Sequence, residues 1–229
     1  MRFTPAARTT AVALSALAVL LAPTTAHAAT AEHAATPGDT VTLSVRDALA
    51  ALPVQAENRT GYERTKFKHW TDADKDGCNT RMEVLKAEAV TAPAQGPNCV
   101  LTSGSWYSRY DDRYLDSVSK LDVDHLVPLA EAWDSGASQW TVKERELYAN
   151  DLDDARDLIA VSAASNRSKA DKDPSEWLPP YAGYWCRYVT DWVADKTRWG
   201  LSVDTTERDA LTQQLASCPD EPITVTLAH

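Results

Sequence analysis

Leu121-Asp122-Val123-Asp124-His125-Leu126-Val127-Pro128-Leu129 is the stretch on which the reading of this chain turns. From Lys120 to His125 the side chains alternate, with Leu121, Val123 and His125 on one face and Asp122 and Asp124 on the other, the period of a strand. Leu129–Trp133 then predicts a helix that stops at Ser135-Gly136, where glycine can take a left-handed cap conformation. A polar stretch, 138–157, leads to Leu158–Val161, a short apolar run that suits a second strand. Ser165 is placed to cap a following helix, which Asp173-Pro174 would interrupt.

Outward from this centre, Tyr62–Trp70 and Glu83–Val90 read as short helices. A turn-rich stretch with Pro93, Gly96 and Pro97 follows the second of them. Trp185–Gly200 and Thr206–Ser217 carry the clearest amphipathic patterns. The expected class is α+β, a small hairpin-and-helix site embedded in a largely helical single domain. Burial is the default role for most of the tryptophans.

At the N-terminus, Arg2 and Arg8 flank a short basic region, Ala11–Ala22 is apolar, and Ala26-His27-Ala28 has the small-x-small pattern of a cleavage site. Residues 1–28 therefore read as a signal peptide and 29–41 as a disordered lead-in, leaving 42–229 as the folded domain. An uncleaved anchor is the competing reading, but the apolar run is roughly a dozen residues against the ~20 that span a bilayer. The expected destination is extracellular, with no membrane association after cleavage.

Cys78, Cys99, Cys186 and Cys218 follow the leader, an even number that suggests two disulfides in an exported chain. Of the three pairings open to them, Cys78–Cys99 and Cys186–Cys218 are favoured because each brackets a plausible local unit. Zinc is the alternative, and the absence of any C-x-x-C pair argues against it.

The chain holds 23 basic and 33 acidic residues, a net charge of −10, and loss of Arg2 and Arg8 makes it more negative still. That is the wrong sign for broad capture of nucleic acid, so any nuclease here must work through a local site. Apart from His27, the histidines are His33, His69, His125 and His229. If a histidine serves as general base, His125 is the natural candidate. Further on comes Ser165-Asn166-Arg167-Ser168-Lys169-Ala170-Asp171-Lys172-Asp173-Pro174, an asparagine with three cations close behind it. The amide oxygen of Asn166 could serve a metal, and Arg167, Lys169 and Lys172 a phosphate.

D-V-D-H-L-V-P followed by N-R-S-K-A-D resembles the HNH nuclease pattern of CRISPR effector nucleases. The wider run D-H-L-V-P-L-A-E-A-W-D-S-G-A resembles a family of secreted actinobacterial HNH endonucleases, related to the C-terminal nuclease domains of modification-dependent restriction enzymes. The resemblance implies a ββα-metal site in which Asp124 and Asn166 hold one divalent ion, Mg²⁺ or Mn²⁺, and His125 activates water against a phosphodiester. DNA is the expected substrate rather than RNA. The middle asparagine of the pattern is replaced by Asp157 just before the second strand. Either Asp157 orients His125 or a backbone carbonyl does.

Asp72-Ala73-Asp74-Lys75-Asp76-Gly77, with Glu83 in twelfth place, fits a calcium-loop template, although Cys78 and Asn79 occupy its seventh and eighth positions. Cys78–Glu83 also matches the secreted family, in which Arg81 would contact a phosphate or a carboxylate. An extracellular calcium-binding structural module with an inactive HNH-like segment is therefore the rival to the nuclease. A different hydrolase has little support, since the chain has no G-x-S-x-G elbow and no H-E-x-x-H helix.

Overall fold

The structure is a computed structural model that describes residues 1–4 and 36–228. Apart from its first four residues, the expected signal peptide lies outside the described residues, as does most of the expected lead-in. In chain order the elements are β1 (Thr40–Ser44), α1 (Val45–Ala51), α2 (Thr80–Ala87), β2 (Ala89–Thr91), β3 (Ala94–Gln95), β4 (Leu101–Thr102), β5 (Ser105–Ser108) and β6 (Arg113–Leu115). They continue with β7 (Leu121–His125), α3 (Leu129–Asp134), α4 (Val142–Tyr148), β8 (Leu158–Ser162), α5 (Ala163–Lys169), α6 (Trp185–Trp199), α7 (Thr205–Ala216) and β9 (Pro222–Thr226). The class is α+β, with small antiparallel sheets set among helices, and no described helix is long and apolar enough to cross a membrane.

The central hairpin pairs β7 with β8 antiparallel, from Leu121↔Ser162 to His125↔Leu158. It stands between two apolar cores. Leu121, Val123, Leu158 and Ala160 face one, built on Trp106, Leu85 and the Cys78–Cys99 bridge. Ile159 and Val161 face the other and larger one, where Trp133, Tyr148, Trp192 and Trp199 pack with α1, α6 and α7. Burial on both sides fixes the hairpin's register, because a one-residue slip would exchange its two faces.

α5 follows β8 without a loop. Its N-cap is Ser162, whose hydroxyl accepts from Ser165 N at 3.2 Å. The expected cap at Ser165 is thus one turn too late, since the hydroxyl nearest the strand takes the orphan amide and Asn166 falls within the helix. Ala170, with φ 52°, ends α5 ahead of the Asp173-Pro174 break.

Elsewhere the expected Tyr62–Trp70 helix is a single 3₁₀ turn at Arg64–Lys66. β1 begins at Thr40, inside the expected lead-in, because its partner β9 comes from the far end of the chain. α6 ends on Gly200 at φ 61°, the left-handed cap that spares a Cβ clash. Both favoured disulfides are present, Cys78–Cys99 and Cys186–Cys218, the second tying the first turn of α6 to the second residue past α7.

Candidate active site

A cleft of about 260 Å³ opens at the end of the hairpin and is lined by Asp124, His125, Asn166 and Arg167, with Arg64 and Asp171 at its rim. The register of β7 runs unshifted to His125, so the cleft reaches both Asp124 and His125 around the strand end, without the distortion their opposite faces suggest.

The His125 ring is buried, stacked on Trp70 at 5.2 Å on one side and on Tyr148 at 6.5 Å on the other. Its Nε2 lies 3.0 Å from the Ala149 carbonyl oxygen. A carbonyl only accepts, so Nε2 carries the proton and Nδ1 keeps the lone pair. Burial is the chief force holding this imidazole down to about pKa 3, with the positive charge of Arg64 acting in the same direction. The ring is therefore neutral near pH 7, the protonation state a general base needs.

That hydrogen bond favours the backbone-carbonyl alternative over Asp157 as the orienting group. The Asp157 carboxylate instead faces Trp199 Nε1 and Arg198 Nε, each at 3.3 Å. Burial, and then the charges of Asp195 and Asp151, push its carboxyl well above the usual range. Asp157 meets the site only through its backbone oxygen, which accepts from Leu126 N at 2.9 Å and extends the hairpin ladder by one bond.

Asp124 Oδ2 accepts from Tyr110 Oη at 2.5 Å and from Lys169 Nζ at 2.6 Å. Among the described residues its Oδ1 has no hydrogen-bond donor, and the side chain borders the cleft. Burial pushes the carboxyl up and the Lys169 ammonium down, while each partner favours the other's charge. Lys169 also donates to the His125 carbonyl at 2.9 Å and is fully buried. It is withdrawn from any phosphate, which corrects its assignment as a phosphate ligand. The last turn of α5 points it inward, where it braces the strand end.

Asn166 donates Nδ2 to Asp122 Oδ2 at 3.3 Å, which leaves its amide oxygen as an acceptor at the cleft. A carboxylate oxygen and an amide oxygen beside one cleft are hard donors that fit a small divalent cation.

The remaining cations divide. Arg167 is exposed, 3.6 Å from Asp122, and Lys172 is exposed with Nζ on the Ser168 carbonyl. Arg81 is occupied by the Leu121 carbonyl at 3.0 Å and lines a different hollow, so the structure does not bring it to the cleft. Arg64, which sequence reasoning missed, lines the cleft in its place. Nothing in Glu63-Arg64-Thr65 marks it, because the 3₁₀ turn that presents it has no periodic signature.

Asp72, Asp74 and Asp76 bring one oxygen each within 4.8 Å of one another, and Asp72 accepts from Gly77 N at 3.1 Å. Glu83 is turned to Lys86 at 3.1 Å and does not close that loop.

A family described as GmrSD restriction endonucleases, C-terminal domain, matches residues 80–214. An "Uncharacterized secreted protein" of Arthroderma benhamiae is 42% identical over 171 residues, covering 74% of this chain and 82% of that protein. That relative is fungal, whereas the motif resemblance points to an actinobacterial family. No solved structure matches.

Proposed function

This chain belongs to the family of GmrSD restriction endonuclease C-terminal domains, and from that premise we propose that it is an exported, divalent-cation-dependent HNH endonuclease acting on DNA, with His125 as general base. The observation that carries the proposal is the state of His125. It is neutral, oriented through Nε2 by the Ala149 carbonyl, and set in one cleft with Asp124 and Asn166.

In this reading the lone pair on Nδ1 takes a proton from the attacking water. Asp124 and Asn166 hold the cation through oxygen, Lys169 and Tyr110 fix the Asp124 carboxylate, and Arg64 and Arg167 face the phosphate. A bound Mg²⁺ or Mn²⁺ would supply stabilisation for the negative charge that develops on the phosphate and the leaving 3′ oxygen. The products are a 5′ phosphate and a 3′ hydroxyl.

Export rests on the 1–28 leader pattern and agrees with the name of the fungal relative. The Asp72–Asp76 loop remains a candidate calcium seat beside this activity, supported by its converging carboxylates.

Purified protein is expected to cut plasmid DNA in MgCl₂ or MnCl₂, to stop in EDTA, and to lose roughly 10²–10⁴-fold in rate as His125→Ala. Wild-type protein that cuts neither DNA nor RNA with either cation would refute the proposal. Preference for RNA would correct only the substrate.

A further inference from the structure

Away from the cleft, five carboxylates from four separate segments meet. They are Glu57 in the loop after α1, Glu131 and Asp134 on α3, Asp173 beyond α5, and Asp204 at the N-cap of α7. Oxygens of Glu57, Glu131 and Asp134 lie within 4.8 Å of one another, as do oxygens of Glu57, Asp173 and Asp204, so Glu57 is common to both groups. Glu57 and Asp204 also line a hollow of about 360 Å³.

The local charges do not balance. Lys196 is spent on Glu131 at 2.7 Å and Glu207 at 2.6 Å, and Arg59 on Asp134 at 2.6 Å. Glu57, Asp173 and Asp204 have no cationic partner among the described residues. A further, independent observation concerns Asp134. Its side chain is only 1% exposed, and Oδ1 is buried with no hydrogen-bond partner while Oδ2 holds Arg59. A buried carboxylate oxygen left without a donor or cation of its own destabilises the fold, even with Arg59 on the other oxygen.

We propose that this cluster is a structural site for a hard divalent cation of the calcium class, bridged by Glu57 and separate from the catalytic cation. The donors are all oxygen. Oxygens of each group stand close enough together, within 4.8 Å, to share one such ion. A bound ion would offset the surplus charge and staple the 53–59 loop and the Asp173 turn onto α3 and α7.

The test needs no nuclease activity, so its failure and the failure of the nuclease reading are distinguishable. The full chain carrying Asp74→Asn and Asn166→Ala weakens the two other candidate cation seats while leaving the buried Asp124–Lys169 pair intact. In this parent, CaCl₂ at about 10 mM, roughly a hundredfold above the ~10⁻⁴ M dissociation constants of extracellular calcium modules, is expected to raise Tm by roughly 5–10 °C over EDTA. Adding Glu57→Gln is expected to abolish that shift while leaving Tm in EDTA equal or higher, because one repelling anion has gone. Asp204→Asn, which still caps α7, is expected to weaken the shift in the same way. No calcium shift in the parent, or an undiminished shift in Glu57→Gln, overturns the site.

Discussion

At His125 a single hydrogen bond decides the chemistry, since donating Nε2–H to Ala149 assigns the proton and frees the other nitrogen. The pH behaviour follows in sign. The unfolded ring titrates near 6.5 and the folded ring at about 3, so between these values the unfolded state holds more protons. The stability this residue contributes is present above pH 6.5 and is lost as pH falls toward 3. Thermal melts should show the Tm gap between wild type and His125→Ala narrowing from about pH 7 to about pH 4; a constant gap would contradict the depressed pKa. The kcat/KM profile should lack an acid limb near pH 6.5 for the same reason. Lys169→Met should cost about 3–5 kcal/mol in urea unfolding, because it strands a buried Asp124 carboxylate, whereas Lys172→Met should cost almost nothing. His125 could be read from sequence because so few histidines compete with it. Lys169 could not, since an Asn-x-x-Lys pattern looks the same whether the lysine faces solvent or turns under the strand.

Among the elements, those with a long period were legible and those without one were not. β7 and β8 announce themselves by alternation and by an unbroken apolar run, and α6 by its amphipathic face. β2 to β6 are two to four residues long, too short for any period to register. They exist because tertiary partners hold them, as when Trp106 of β5 donates to the Leu85 carbonyl at 2.6 Å. The Cys186–Cys218 bridge closes a span of 32 residues around α6 and α7. Its removal as Cys186→Ser/Cys218→Ser should lower unfolding free energy by about 4 kcal/mol on chain-entropy grounds, measured as a shift in urea midpoint at constant slope. A slope that falls as well would mean that the two helices had separated in the native state.

For the molecule as a whole, charge and topology matter more than any one contact. With a net charge of −10, the proposed binding to DNA would have to depend on the cation and on a few local side chains. In the slow His125→Ala protein the proposed reading gives about two phosphate contacts, from Arg64 and Arg167, so log K should fall with log salt at a slope of roughly −2. A slope several units steeper would reveal a basic surface beyond the cleft. The pairing of Thr40 with Thr226, far apart in sequence, has a consequence in time. The two residues are 186 positions apart, which at ribosomal speed separates their synthesis by roughly ten to forty seconds. Throughout that interval β1 is a bare edge with nothing to pair against. A chain cut short before β9 would leave Ile223 and Val225 missing from the larger core, so a strand made long after β1 acts as the latch that closes it in.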